Sequence, residues 1–300
     1  MLTLRDIGTG DEQETGVGDV ATWGSLTWVG ALASTASSSG TSSTLDWRPG
    51  NVANVDGSTI DVAEPCVLLV SFGALARYDL VTRARVPIAF VPGVVTLPYQ
   101  KTAIVASNGD VVIAGLANAL QRYRDDVLAP LPGEPASTEF VDGLPRTDGN
   151  FVAYRKSAVT STSSTYQIAM NDGASEILLG KARVFAKAEI GPDPTLITLA
   201  GRDYDVNNGW IAYTELDASN RPQVWLRSAT GMLRQISQSA TPSFLSSLGP
   251  DGTVFFVSGG RRYRCPPGGT PSDVSGANGE VIWRHGQPYL KLGITVFRIR

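Results

Sequence analysis

The chain has 300 residues, 42% hydrophobic and 18% charged, with a formal net charge of −3. That is apolar material enough for one closed domain or two smaller ones, and the charge excludes a global nucleic-acid footprint. No apolar run reaches the roughly 18 residues of an ordinary transmembrane helix. The opening Met1-Leu-Thr-Leu-Arg-Asp6 lacks the basic-then-apolar order of a secretory signal. A surface rich in Ser, Thr, Asn and Gly and poor in ion pairs fits an extracellular or virion-associated all-β protein better than a charged cytosolic enzyme. Cys66 and Cys265 are the only cysteines, open to pairing with each other or to life as two buried thiols.

Read in order, Leu2–Ile7 alternates as a strand, Gly8–Asp19 is a polar loop, and Val20–Leu32 holds two strands around a turn at Gly24-Ser25. Ala33–Thr44 is nearly pure Ala, Ser, Thr and Gly, so it reads as a flexible loop with little to offset an ordering entropy of roughly 1–2 kcal/mol per residue. Asn51–Asp61 is turn-rich. Cys66–Phe72 is a continuous apolar run, the pattern of a strand covered on both faces. Arg77–Leu80 and Val86–Phe90 follow as strands, and Asn108-Gly109 joins Lys101–Ala106 to Val111–Ala114 as a hairpin. Leu116–Leu128 admits either a helix or two strands. Pro130–Pro145 reads as a connector.

The stretch Asp203–Ser237 organises the rest. Trp210–Glu215, Pro222–Arg227 and Leu233–Ile236 are short extended segments separated by Asn207-Asn208-Gly209, Asp217-Ala-Ser-Asn220 and Thr230-Gly231. With Ile197–Tyr204 they make a four-stranded antiparallel meander. The punctuation recurs: Asp148-Gly149 precedes Phe151–Tyr154, Pro250-Asp-Gly252 precedes Val254–Val257, and Val281–Arg284 with Tyr289–Leu292 repeats the later strands. Gly109, Gly149, Gly209 and Gly252 lie 40, 60 and 43 residues apart. A period near 40 with four short strands per unit is the mark of a β-propeller blade.

Blade starts near Gly18, Gly57, Gly109, Gly149, Gly209 and Gly252 give six blades of four-stranded antiparallel sheet in a single domain spanning 1–300. The alternating strands Leu2–Ile7 and Ile294–Ile299 are suited to pair and close the ring, since each would otherwise be an exposed edge. A long loop occupies 265–279. Residues 203–237, and also 149–180 and 244–292, resemble blades of the WD40-like and TolB-like β-propellers. The shared phrase is a DG or NG turn, an "IAY" or "VFFV" strand, "QVWLR", a tight turn and "LRQIS"; the Gly-His and Trp-Asp pairs of strict WD40 repeats are missing. This resemblance implies a fold and leaves the ligand open.

Signals for chemistry are sparse. HExxH, CxxC, a phosphate-binding glycine loop and GxSxG are all absent from the sequence. His285, the only histidine, falls where the repeat places a rim turn. Asp203, Asp205 and Asn207 offer alternating oxygens like the start of a calcium loop. Their glycine comes seventh rather than sixth, though, and a strand follows, so an Asx-stabilised turn accounts for them equally. No other cofactor is implied. Arg261-Arg262-Tyr263-Arg264 is the one dense basic patch, readable as a solvated hairpin or as a ligand-binding site for an anionic sugar or acidic protein surface. Asp56, Asp110, Asp148, Asp203 and Asp251 occupy equivalent turn positions, where Asp is locally favoured. The sequence therefore points to a non-enzymatic binding or structural module for a protein or glycan surface, part of a surface or phage-particle assembly. The alternative is a glycoside hydrolase or lyase with Asp110, Asp148, Asp203 and Asp251 at a channel mouth.

Overall fold

The structure is a computed structural model. It describes residues 3–6, 12–14, 25–29, 32–36, 42–48, 51–63, 65–71, 73–90, 103–116, 119–132, 139–159, 163–186, 204–274, 280–284, 287–292 and 295–298. Among these, every regular element is a strand.

Strands β1 (Thr3–Asp6) and β2 (Glu12–Glu14) open the chain. Sheet A follows: β3 (Ser25–Val29), β4 (Leu32–Ala36), β5 (Ser42–Arg48) and β6 (Asn51–Asp56). Sheet B holds β7 (Ser58–Ala63), β8 (Cys66–Ser71), β9 (Ala74–Asp79) and β10 (Arg85–Phe90). Sheet C holds β11 (Ala103–Val105), β12 (Val111–Leu116), β13 (Ala119–Arg124) and β14 (Val127–Pro130). Sheet D holds β15 (Glu139–Thr147), β16 (Val152–Val159), β17 (Ser163–Asn171) and β18 (Glu176–Ala186). Sheet E comprises β19 (Tyr204–Asn207), β20 (Trp210–Leu216), β21 (Pro222–Arg227) and β22 (Leu233–Gln235). Sheet F comprises β23 (Ser243–Leu248), β24 (Val254–Ser258), β25 (Arg261–Cys265) and β26 (Ser272–Asp273). Last come β27 (Glu280–Arg284), β28 (Gln287–Leu292) and β29 (Thr295–Arg298).

Each lettered sheet runs in sequence order, and in sheets A, B, D, E and F every neighbouring pair is antiparallel. A five-stranded sheet joins the two ends of the chain in the order β2-β1-β29-β28-β27. The terminal strands pair in parallel, Leu4 opposite Val296 and Asp6 opposite Arg298.

Several expectations change. Seven sheets form among the described residues, against six blade starts counted from glycines. The six starts fall one to each of sheets A to F, and the seventh sheet is assembled from both ends of the chain. Gly57 lies between sheets A and B, directly before β7, rather than at a first turn. The stretch 33–44, read as a flexible loop, contains the ends of β4 and β5, with Thr35 opposite Thr44; residues 37–41 lie outside the described set. Small side chains offer little burial, but backbone ladder bonds on both sides of a strand need none. The turn-rich 51–61 is almost wholly strand for the same reason. Within 265–279, Ser272–Asp273 pairs with Arg264 and Tyr263 and supplies the fourth strand of sheet F. Pro145 is accommodated inside β15 because the register shifts between Asp142 and Arg146, a bulge being where a strand tolerates proline. Within 116–128 the described residues form strands around a turn at 125–126.

The chain divides into two compact units, Met1–Ile113 with Arg122–Ala129 and Asn278–Arg300, and Ala114–Gln121 with Pro130–Ala277. Sheets A and B and the terminal sheet fall to the first, sheets D, E and F to the second, and sheet C has residues in both. In each unit the core lies between consecutive sheets. In the first, Val55 of sheet A packs with Val67, Leu69, Tyr78 and Leu80 of sheet B. In the second, Ala153, Met170 and Leu179 of sheet D meet Val206, Ile211 and Tyr213 of sheet E. The other face of sheet E, through Ala212, Val224 and Leu226, meets Leu245, Val254, Phe256 and Cys265 of sheet F. A strand covered on both faces must be apolar at successive positions, which explains the buried run Cys66–Val70. Both cysteines are free and buried, and burial raises each thiol above its ordinary pKa.

Tyr213 gives this core a measurable pH signature. Burial, helped by Glu215 and opposed by Arg227, pushes its phenol up to about 12. The folded value exceeds the unfolded one, so the associated stability is fully present below pH ~10 and is lost as pH rises towards ~12. A shift of that size amounts to roughly 2–3 kcal/mol. Urea midpoints should therefore fall between about pH 9 and about pH 11.5 in the parent and markedly less in Tyr213→Phe. Identical pH slopes in the two proteins would remove Tyr213 from the account.

Candidate functional site

The turn between first and second strands positions most of the polar side chains singled out by sequence. In sheet C this turn delivers Asp110, whose side chain is buried, to a cluster of arginines. Its Oδ2 accepts from Arg122 Nε and Nη2 at 3.0 and 2.6 Å and from Arg124 Nε and Nη2 at 2.8 and 2.5 Å. Arg77 of sheet B donates through Nη1 to the carbonyl of Gly109 at 2.7 Å. Burial pushes the Asp110 carboxyl above the ordinary carboxylate value, and the Arg124 guanidinium pulls it back only in part.

The corresponding turn of sheet D uses Asp148 differently. Its Oδ1 accepts the N–H groups of Asn150 and Phe151 at 2.9 and 2.8 Å, an Asx turn, and its Oδ2 takes the N–H of Gly209 in sheet E at 2.5 Å. Asn208 of sheet E in turn donates to the Pro250 carbonyl of sheet F at 3.0 Å. Asp251 closes its own turn on the Thr253 N–H and hydroxyl at 2.9 and 2.8 Å. Asp56 is exposed at the end of β6, and Asp203 and His285 lie outside the described residues.

Asp205 and Asn207 grip the neighbouring sheet. Asp205 Oδ2 accepts the Leu248 N–H at 3.2 Å, and Asn207 Nδ2 donates to the Leu248 carbonyl at 3.1 Å. Sequence reading missed that this grip is repeated. Asp61 on β7 accepts the Val105 N–H of β11 at 2.9 Å. The two pairs are separated by 44 and 43 residues, so a first-strand aspartate one period before a first-strand backbone donor was the signal available. Among the described residues no three His, Cys, Asp or Glu side chains gather to hold a metal.

In the basic hairpin, Arg261 pairs with Asp273 at 3.1 Å and is largely exposed. Burial lowers the Arg262 guanidinium below its ordinary pKa. Tyr263 stacks on Phe256 with centroids 5.2 Å apart and planes at 17°, and packs against the core between sheets E and F. One face of the ring proposed for a sugar is thereby taken. Arg264 Nε is buried without an acceptor among the described residues.

No family model matches the chain, and no curated protein matches it in sequence. Solved structures do. Dipeptidyl peptidase 4 from Porphyromonas gingivalis aligns at 12% identity and a TM-score of 0.52, over 88% of this chain and 48% of that one. The chain thus spans about half the length of that protein. Putative TolB from Agrobacterium tumefaciens aligns at 16% identity and TM-score 0.37, over 74% and 83% of the two chains. A catalytically inactive virginiamycin B lyase from Staphylococcus aureus with quinupristin aligns at 10% identity and TM-score 0.43, over 90% and 92%. The first of these likenesses shows the fold alone, an all-β, multi-sheet fold resembling β-propeller and β-solenoid proteins. Among the described residues no helix is long and apolar enough to cross a membrane.

Proposed function

We propose that the chain is a β-propeller with the seven sheets as its blades, spanning 1–300 and serving as a non-enzymatic binding or structural module for a protein or glycan surface. The observation that carries this reading is how the described candidate carboxylates are used. Asp110 is shared by two arginines, Asp148 holds a turn and the next sheet, and Asp251 holds its turn. A glycosidase needs two carboxyls free to face a sugar across roughly 5–10 Å. Support for an anionic ligand at the basic hairpin comes from Arg264, since a buried guanidinium donor without an acceptor is costly. The composition supports an extracellular or virion-associated setting.

The carbohydrate-active alternative keeps one supporting observation, the raised carboxyl of Asp110. The test is an assay on neutral and acidic polysaccharides for new reducing ends and unsaturated uronates, run beside a glycan-binding screen. Binding without turnover is expected. Turnover that disappears in Asp110→Asn or Asp148→Asn would transfer the protein to the enzymes.

A further inference from the structure

Two Asn-Gly pairs lie among the described residues, Asn108-Gly109 in the first turn of sheet C and Asn208-Gly209 in the first turn of sheet E. A third, Asn278-Gly279, lies outside them. An asparagine before glycine carries its own reaction. The glycine nitrogen loses its proton and attacks the side-chain amide carbon, unhindered because glycine has no side chain. Ammonia leaves, a cyclic succinimide forms, and water opens it to aspartate or isoaspartate. The attack needs negative charge on the glycine nitrogen, so the charges that stand beside that nitrogen govern the rate.

The two turns place opposite charges there. At Gly109 the Arg77 guanidinium lies over the glycine: its Nη1 donates to the Gly109 carbonyl at 2.7 Å, and a Cβ added to Gly109 would collide with it. The Gly109 N–H donates to a neutral acceptor, the Ala106 carbonyl, at 2.9 Å. The adjacent Asp110 carboxylate is taken up by Arg122 and Arg124. At Gly209 the N–H donates instead to the Asp148 carboxylate at 2.5 Å, whose charge opposes a second negative charge on the nitrogen. The asparagines differ as well, although both are exposed. Asn208 donates across to the Pro250 carbonyl of sheet F at 3.0 Å. Asn108 is held within its own turn, its Oδ1 accepting the Asp110 N–H at 3.1 Å. That bond folds the amide back over the Gly109 peptide and offers a donor to the oxygen that gathers charge during attack.

We propose that Asn108 is a site of spontaneous deamidation activated by Arg77, and that Asp148 shields Asn208 from the same reaction. The inference stands apart from the binding-module reading and does not depend on it. Conversion at position 108 puts a second carboxylate beside Asp110 and within reach of the guanidinium over Gly109. The isoaspartate product also lengthens the backbone of the turn that holds Asp110 against Arg122 and Arg124.

The test is ageing of the full chain in mildly alkaline buffer, folded and in urea, followed through tryptic peptides that separate the three Asn-Gly pairs. Peptide masses report the amide-to-acid change, and labelling by protein isoaspartyl methyltransferase reports isoaspartate. In the folded chain Asn108 should convert at least about tenfold faster than Asn208, a difference that opposite charges a few ångströms away suffice to make. In urea the two rates should come together, because the reacting pair is the same and the fold no longer places a charge beside it. Arg77→Gln keeps a donor for the Gly109 carbonyl without the charge and should slow conversion at Asn108 severalfold. Asp148→Asn should speed conversion at Asn208 and leave Asn108 unchanged. No conversion at Asn108, equal folded rates, faster conversion at Asn208, or a ratio that survives in urea each overturns the proposal. So does an Asn108 rate that Arg77→Gln leaves unchanged or raises, an Asn208 rate that Asp148→Asn does not raise, or a product free of isoaspartate.

Discussion

Asp110→Ala should cost about 3–5 kcal/mol of folding stability, the cost usual for removing one member of a buried ion pair. The carboxylate oxygen it deletes is shared by Arg122, whose side chain is 8% exposed, and Arg124, which is 40% exposed. Desolvation makes the asymmetry. Arg122 has left water for that oxygen, whereas Arg124 regains water when the oxygen goes. Arg124→Ala should accordingly cost no more than about 1 kcal/mol, as exposed pairs do. The paired change Asp110→Leu with Arg122→Met should recover most of the loss, because an apolar pair of similar volume needs no ionic partner. Urea midpoints of the four proteins decide it. A carboxylate kept for catalysis predicts the reverse, since relieving a buried charge at a functional site commonly raises stability. An Asp110→Ala protein as stable as the parent, or more so, would revive the carbohydrate-active alternative.

What could be read from the sequence was the part written in turn chemistry. Gly109, Gly149, Gly209 and Gly252 all stand at first turns of consecutive sheets, and the strands between them follow the expected order. Alternation at both termini foretold the pairing of Leu4 with Val296. The failures share a cause. Strand order in 33–44 and 51–61 is held by backbone ladders, to which side-chain identity contributes little, so neither composition nor hydropathy marked it. The sheet assembled from both ends of the chain has no single start along the sequence, so a count of starts left it out. At the candidate site, turn chemistry in the sequence accounts for Asp148, which closes an Asx turn, but not for the links that Asp148, Asp205 and Asn207 make to the next sheet. Their partners are backbone groups of Leu248 and Gly209, which side-chain identity does not mark; only the spacing of one period does. Alternation assigns Tyr263 to a face without saying that Phe256 of the neighbouring strand stacks on it.

Gly252→Ala should destabilise the fold by about 2–5 kcal/mol, through two separable effects. Gly252 has φ +81°, a conformation costing an L-residue roughly 1–2 kcal/mol. A Cβ there would also lie 2.6 and 2.7 Å from Trp210 Cε2 and Cδ2, and 2.9 Å from Pro267 Cγ. The indole cannot withdraw easily, because Trp210 packs against the core shared by sheets E and F, and overpacking such a site costs about 1–3 kcal/mol. Gly260 separates the two effects. It has φ +74°, yet nothing lies within 4 Å of its added Cβ, so Gly260→Ala should show the backbone cost alone. The difference between the two variants, taken from urea midpoints at constant m, measures how closely sheet F's first turn sits on sheet E. If both cost the same, the indole yields freely and the contact between turn and tryptophan does not fix the spacing of the sheets. If Gly252→Ala costs more by 1–3 kcal/mol, the recurring glycine is explained as close approach between successive sheets as well as turn geometry, and the spacing read from sequence marks where one sheet rests on the next.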